Sequence, residues 1–382
     1  MKKLLLVFFL IFQIALHAQT KNNDYKKVDE VIKKYSNPID NNAIRGVARF
    51  IYENFSTETD KLRAVFIWLS DNFEYDVENM YNPKAYTEPQ EVIDEMLRNQ
   101  KGVCMHFAYL FKEIGNILDI KSYIISGYTK QDGVVNNLSH VWCASFMDSA
   151  WHLIDPTWGA GYVQNNKYVR KLNDDYFKAT PEELIKSHIP LDPLWQFLNY
   201  PVSAQEFYDG HTKINKEKPF FDFLDTLKMY EEATRMEQLI ATNRRIEQNG
   251  MIHVYSQNQL ENNKKEIEFY KLQIDIEYYN SAVNYFNEGI NYLNRFIDYR
   301  NKQFQPQKSE TEVRLMIEEA EVAWVRSQEE LQKISTSDVS TKNSKSQLEA
   351  SITQMLIQVY EQKNFVNKYF NTSPLFRKSL FY

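Results

Sequence analysis

The sequence predicts an α+β domain followed by an all-α helical bundle, and three observations lead to this prediction. Amphipathic helical patterns with capping signals come first along the chain. Alternating β-prone runs bounded by turn residues follow, and beyond residue 222 long helical patterns continue with almost no glycine or proline. Helices followed by a small antiparallel sheet are typical of α+β domains, and repeated apolar positions on long helices are typical of a bundle.

Length and charge set the first limits on function. The chain has 382 residues, which suits two domains. Its formal net charge is −6, with positive and negative residues mixed along the sequence. Because no basic stripe is present, the composition argues against a nucleic-acid partner.

The N-terminus has the pattern of a secretory signal peptide. Two lysines follow Met1, and the apolar run from Leu4 to Leu16 is too short to span a bilayer well. We expect residues 1–18 to be removed after Ala18. The protein is then exported, either periplasmic or secreted, with no integral membrane segment left. An uncleaved membrane anchor is the alternative interpretation.

The first domain is expected to span residues 19–200. Helical spacing and capping signals predict four helices before the cysteine, which cover residues 24–36, residues 43–55, a segment starting within residues 56–60, and a segment from Pro89 to about Asn99. A fifth helix runs from Cys104 to about Leu118. Strands are predicted at residues 121–129, 138–147 and 151–155, with turns at Asp132-Gly133 and Asp148-Ser149.

The second half has a different pattern. Residues 201–221 are expected to form a linker, and residues 222–382 a bundle of long helices. Within it, Pro306 follows the end of one helix, and a capping box from Ser309 to Glu312 begins the next. A partner-binding coiled coil is the alternative.

Cys104 is the candidate nucleophile. It follows Gly102-Val103, and an apolar run to Phe111 after it predicts the opening of a helix. A thiol on the first turn of a helix lies near unpaired backbone N–H groups and the positive end of the helix dipole, which both favour the thiolate. A buried, inert cysteine is the alternative interpretation.

His140 and Asp155 are the candidate base and base-orienter. His140 lies in an apolar β-prone run, and Asp155 ends another just before Pro156. A nucleophile, a base and an orienting carboxylate are the parts of a catalytic triad. The alternatives are a hydrogen-bonded core histidine and a simple turn residue. His106 shares a turn with Cys104, so we expect it to pack or hydrogen-bond on its own helix.

The second cysteine, Cys143, is expected to be buried and inert. Strand alternation places it on the face opposite His140. A disulfide between Cys104 and Cys143 is the alternative, and it would disable the triad. No His, Cys, Asp or Glu cluster has metal-ligand spacing, so we expect no metal and no cofactor.

Three segments of the chain together resemble the transglutaminase-like superfamily, in particular its bacterial relatives of the kyphoscoliosis-peptidase type. Lys101-Gly102-Val103-Cys104 resembles the segment of the family's nucleophile, Ser139-His140-Val141-Trp142 the histidine segment, and residues 151–159 the aspartate segment. The order Cys, His, Asp is the family's order too. The resemblance covers about residues 45–165, and we expect it to extend to His188-Ile189-Pro190 and Trp195-Gln196. It does not reach the C-terminal helices.

The resemblance implies a papain-like fold and thiol-based acyl transfer. Such an enzyme acts on peptide or glutamine-carboxamide bonds through a thioester, which then yields to water or to an amine. The Cys104 backbone N–H would bind the oxyanion, with Trp68 or Asn72 as weaker side-chain candidates. Trp142 and Trp158 are candidate walls of the substrate cleft.

A second class of function stays open, because some members of this superfamily have lost triad residues. Such a protein would be a non-catalytic binding or scaffolding module of the cell envelope. All three triad residues are present here, which favours catalysis. The partner is then a protein or peptide substrate, and the C-terminal helices are a candidate site for an envelope partner.

Overall fold

The computed structural model describes residues 25–36, 38–40, 42–335 and 338–382. The predicted signal peptide lies outside these residues. The chain divides into two compact units, Met1–Asn262 and Asn263–Tyr382. None of the helices in the described part of the chain is both long and apolar enough to cross a bilayer.

The first unit begins with helices, as the sequence predicts. Its first elements are α1 (Lys26–Ile32), α2 (Ala43–Asn54), α3 (Glu58–Asn72), β1 (Glu74–Tyr75), α4 (Pro89–Asn99), β2 (Lys101–Gly102) and α5 (Cys104–Ile117). The Thr57 side chain accepts a hydrogen bond from the Asp60 N–H and so caps α3. The short parallel pair of β1 and β2 was not expected, since neither run is long enough to show a period.

A four-stranded antiparallel sheet follows. The elements of this region, in chain order, are β3 (Ser122–Gln131), β4 (Val134–Met147), β5 (Ala150–Ile154), α6 (Pro156–Ala160), β6 (Gly161–Gln164), β7 (Lys167–Arg170), α7 (Pro181–Leu184) and β8 (His188–Pro190). The strand order is β5-β4-β3-β8, and β6 pairs with β7 in a separate hairpin. The turns at Asp132-Gly133 and Asp148-Ser149 are confirmed. All four turn residues have positive φ, as tight hairpin turns require.

Successive side chains of a strand point to opposite faces of the sheet, and here both faces are covered. On one face Cys143 and Met147 join the helical core with Phe107 and Phe111 of α5. On the other face Trp142 and Ala144 join a second cluster. This arrangement of helices and antiparallel strands confirms the predicted α+β class.

Helices that lie in the predicted linker (the first of those below) and in the predicted second domain (the others) complete the first unit. These are α8 (Ala204–Tyr208), α9 (Phe223–Glu232), α10 (Arg235–Asn249) and the beginning of α11 (Val254–Asn301). Leu227 of α9 packs with Trp142, whereas Ile246 of α10 and Leu260 of α11 pack with Tyr128. The division between units therefore falls at Asn262, later than the boundary at 222 that composition suggests.

The second unit is helical. It contains the rest of α11, α12 (Glu310–Lys333) and α13 (Val339–Asn371). Phe296, Trp324 and Ile352, one from each helix, belong to the same buried cluster. The Ser309–Glu312 capping box is present, because the Ser309 hydroxyl accepts from the Glu312 N–H and the Glu312 carboxylate accepts from the Ser309 N–H.

Candidate active site

Cys104 is the first residue of α5. The apolar face of this helix is buried in the helical core, and that register leaves Cys104 partly exposed at the helix N-terminus. Val103, in extended conformation, is the N-cap residue. The Cys104 N–H is therefore one of the amides that a helix start leaves without an intrahelical partner.

His106 fixes the start of this helix and does not face His140. Its Nδ1 accepts a hydrogen bond from the Val103 N–H at 3.2 Å, and its Nε2 lies 2.8 Å from the Tyr86 hydroxyl. A Cβ added to Gly102 would lie 2.6 Å from the Cβ of His106, so the chain before the nucleophile needs a glycine here. Burial lowers the pKa of His106. The expectation that His106 hydrogen-bonds on its own helix agrees with this geometry.

Asp155 is both a helix cap and the partner of His140. It follows β5 and precedes Pro156, and its Oδ1 accepts hydrogen bonds from the N–H groups of Thr157 (2.8 Å) and Trp158 (3.1 Å). Its Oδ2 lies 2.7 Å from His140 Nε2. Oδ1 therefore makes the contacts of a turn residue and Oδ2 pairs with His140, so the two arrangements that were alternatives in the sequence occur together in one carboxylate.

His140 connects the carboxylate to the thiol. Because Nε2 faces Asp155, Nδ1 is the nitrogen left to act on Cys104. Burial acts to lower the pKa of His140. The charge of Asp155, its hydrogen bond, and the interactions with Cys104 outweigh burial and raise that pKa to about 10. The site therefore favours the imidazolium form of His140.

The carboxylate remains ionised for the complementary reason. Burial acts to raise the pKa of Asp155, but the charge and hydrogen bond of His140, helped by His188, hold it well below its usual range. Asp155 is fully buried, and a buried carboxylate is stable only when its oxygens accept hydrogen bonds. Here they accept two from backbone amides and two from imidazoles.

His188 is a site residue that the sequence did not identify as functional. Its Nε2 donates to the same Asp155 Oδ2 at 3.0 Å, and its Nδ1 lies 2.8 Å from the Ser187 hydroxyl. The ring lies 4.6 Å from that of Trp158. Burial lowers the pKa of His188, which favours a neutral ring that donates to Asp155. His188 is a positioning residue, because it acts on the carboxylate.

A cleft of about 840 Å³ opens beside His140. Its wall includes Ser139 and His140 of β4, Trp158 of α6 and Tyr162 of β6. Of the two candidate cleft tryptophans, Trp158 lines the cleft. Trp142 does not line it, because it is buried in the sheet core, where it stacks on His140 with ring centroids 6.1 Å apart.

The side-chain candidates for the oxyanion site lie elsewhere. Trp68 is buried in the helical core, where its ring packs edge-on against Phe73 at 5.3 Å. The Asn72 amide donates to the Trp68 carbonyl at 2.8 Å, within α3. Neither residue lines the cleft. The sequence pattern of α3 alone did not show that Trp68 points into the core and that the Asn72 amide bonds its own helix.

Cys143 is a free, buried cysteine. Both cysteines are free, and the buried Cys143 thiol donates to the Ala108 carbonyl of α5 at 3.5 Å. Burial raises the pKa of the Cys143 thiol, which disfavours its thiolate. The two thiols are therefore chemically distinct.

Within the described ranges, His140, Asp155 and His188 form the single group with possible metal-ligand geometry. Their donor atoms lie within 4.8 Å of one another. The hydrogen bonds from both imidazoles to Asp155 Oδ2 account for this arrangement. A cation bound there would displace the protons that make these bonds and would occupy Nε2 of the candidate base.

The comparisons with known proteins place these residues in a family. Residues 45–156 match the sequence model of the transglutaminase-like superfamily, and this range includes Cys104, His140 and Asp155. Kyphoscoliosis peptidase of Mus musculus is 31 % identical over 160 residues, which cover 40 % of this chain and 24 % of that protein. Cytokinesis protein 3 of Saccharomyces cerevisiae is 26 % identical over 196 residues, covering 46 % and 22 % respectively.

The chain thus spans about a quarter of the length of the curated relatives it matches. Among solved structures, the periplasmic domain of TgpA from Pseudomonas aeruginosa, bound to ethylmercury, is 18 % identical with a TM-score of 0.26. That match covers 32 % of this chain and 46 % of the TgpA chain.

Proposed function

We propose that this chain, which carries a transglutaminase-like domain over residues 45–156, is an exported thiol acyl-transfer enzyme. Its substrates are peptide or glutamine-carboxamide bonds in a protein or peptide. One observation carries the proposal: His140 hydrogen-bonds Asp155 through Nε2 and interacts with Cys104. A nucleophile, a base and an orienting carboxylate in contact are what acyl transfer at a thiol requires.

Each residue has one role in the reaction. The Cys104 thiol gives its proton to His140, and Sγ adds to the substrate carbonyl carbon. The tetrahedral adduct then collapses, the C–N bond breaks, and the amine leaves with the proton from His140. The acyl group stays on sulfur as a thioester. Water or a second amine then attacks the thioester and returns the thiol, with His140 again moving the proton.

Asp155 supports these proton transfers without taking a proton itself. Its hydrogen bond fixes the imidazole tautomer with Nε2–H toward the carboxylate, which leaves Nδ1 for the sulfur. Its charge stabilises the imidazolium that forms when the thiol loses its proton. Export rests on the pattern of residues 1–18, and attachment to an envelope partner through the C-terminal helices belongs to the same proposal.

Thiol alkylation tests the proposal without knowledge of the substrate. We expect iodoacetamide at about pH 6 to label Cys104 of the full-length protein rapidly and to leave Cys143 unlabelled. His140→Ala should slow this labelling by about 10²-fold, because the ion pair that holds the thiolate is lost. His211→Ala, at an exposed histidine outside the site, is the matched control and should label as fast as the wild type. Equal rates in the wild type and His140→Ala would favour a non-catalytic binding module.

A further inference from the structure

The site contains a side chain that can bind the oxyanion, and it is neither of the two candidates from the sequence. Trp68 is buried in the helical core and the Asn72 amide donates to the Trp68 carbonyl, so neither side chain is placed to act with the Cys104 N–H. An acyl-transfer site needs donors aimed at the oxygen that becomes negative. A suitable donor must lie near the sulfur, face the cleft, and be free of other hydrogen bonds.

Tyr75 meets the first condition through the backbone. It ends β1, which pairs in parallel register with β2, so that Tyr75 lies opposite Gly102. The Asp76 N–H donates to the Gly102 carbonyl at 2.9 Å, which ties the two strands together immediately before the nucleophile. Gly102 precedes Cys104 by two residues. The position of Tyr75 relative to the sulfur is thus set by a short ladder of backbone hydrogen bonds.

The side chain of Tyr75 meets the other conditions. Its ring packs on the helical core, and the residue also lines the cleft together with His140, Thr157 and Trp158. The Tyr75 hydroxyl has no hydrogen-bond partner among the residues that the structure describes. A phenol that is anchored by its ring and unpaired at its tip is available to a ligand in the cleft.

We propose that the Tyr75 hydroxyl is the second oxyanion donor, acting with the Cys104 backbone N–H on the carbonyl oxygen of the acyl group. The inference rests on the proposed function and adds a residue to it. When Sγ adds to the carbonyl carbon, the C–S bond forms and the electron pair of the C=O π bond moves onto oxygen. The two donors stabilise that oxygen until the pair returns and the leaving group departs.

The electrostatics around Tyr75 agree with a donor role. Burial, together with the nearby negative charges of Cys104 and Asp155, raises the pKa of Tyr75 well above its usual range. The phenol therefore keeps its proton at every pH at which the thiolate can react. Protonated Tyr75 can donate to an oxyanion, whereas a phenolate would repel it.

Two reactions of the same thiol distinguish this role from any effect on the thiol itself. 4-Nitrophenyl acetate acylates a thiolate through a tetrahedral oxyanion and releases 4-nitrophenolate, leaving an acetyl thioester. Iodoacetamide alkylates the thiolate by direct displacement of iodide, with no oxyanion. In the full-length protein, Tyr75→Phe should slow acylation of Cys104 by about 10²-fold and leave alkylation unchanged.

The ratio of the two rates is the decisive quantity. Both reactions need the same folded thiol, so a loss of folded protein cancels in the ratio. Tyr109→Phe is the matched control, since Tyr109 packs on the same core from α5 but does not line the cleft. It should keep the wild-type ratio. Cys104→Ala gives the background from other nucleophiles.

Each outcome has one meaning. A wild-type ratio in Tyr75→Phe, whether both rates are normal or both are reduced, would overturn the role of Tyr75. If His140→Ala alkylates as fast as the wild type, the proposed function itself fails, and this result does not depend on Tyr75. A lowered ratio in Tyr75→Phe with a normal ratio in Tyr109→Phe supports the inference.

Discussion

The two units of the molecule treat buried polar groups differently. In the first unit, the buried side chains of His140 and His188 both hydrogen-bond the buried carboxylate of Asp155. In the second unit, the buried polar side chains Asp275 and Ser327 make separate hydrogen bonds to the backbone. The second core is otherwise built from apolar and aromatic residues.

The difference favours the first unit as the place of the proposed chemistry. Burying a charged group is costly unless it is paired and hydrogen-bonded, so a cluster of such groups is rare without a role. The first unit places its cluster at the wall of a cleft. In the second unit, Asp275 accepts from the Ser335 N–H and Ser327 donates to the Ala282 carbonyl, so these two buried side chains satisfy backbone groups between packed helices.

The largest expected effect is on the free energy of unfolding, and it differs between two buried aspartates, Asp155 and Asp275. Asp155→Asn removes the charge that four donors share, and we expect it to lower the free energy of unfolding by about 3 kcal/mol. Asp275→Asn should cost about 1 kcal/mol or less, because Asp275 Oδ1 accepts from the Ser335 N–H while Oδ2 has no partner among the described residues. Urea denaturation of both variants measures this. Equal losses would contradict the contrast drawn between the two cores.

A second prediction concerns the positioning role of His188. His188→Phe removes the donor to Asp155, and we expect iodoacetamide labelling of Cys104 at about pH 6 to slow by about tenfold. His188→Gln keeps an amide donor and should restore most of the rate. A structural role alone would make the two variants alike, and that result would remove His188 from the site.

A third prediction is a pH dependence of stability. The pKa of His140 is about 10 in the folded protein and about 6.5 in the unfolded chain. The stability that protonated His140 adds to the fold is therefore fully present below about pH 6.5 and is lost as pH rises through about 10. The loss of stability in His140→Gln should therefore shrink as pH rises between these limits. Urea denaturation at several pH values measures it.

Cys104→Ala provides the control for this pH dependence. Because Cys104 helps to raise the pKa of His140, the contribution of His140 should be lost at lower pH when the thiol is absent. A stability difference between wild type and His140→Gln that grows with rising pH would show that the sign is wrong.

The α+β class was predictable because its signals are local. The Asp132-Gly133 and Asp148-Ser149 turns and the alternation in β4 can be seen in short windows, and so can the cap at Thr57. The resemblance to the superfamily rested on three segments, and the match over residues 45–156 confirms it. The catalytic roles of Cys104, His140 and Asp155 stay predictions, although the structure brings these residues together.

The parts that sequence could not supply depend on contacts between distant residues. His188 lies 33 residues after Asp155 and reaches it only because β8 pairs with β3, and β8 is three residues long. Tyr75 lies on a two-residue strand whose partner precedes the nucleophile. Neither strand shows a period. The resemblance at residues 188–190 drew attention to that segment but gave His188 no role in the site.

The central claim is that Cys104 carries the acyl group, and trapping that intermediate tests it most directly. The wild-type protein would be mixed with 4-nitrophenyl acetate, quenched in acid, and analysed by intact mass and peptide mapping. We expect one acetyl group on Cys104, none on Cys143, and loss of the adduct in His140→Ala. Acetylation only at lysines, with Cys104 unmodified, would contradict it.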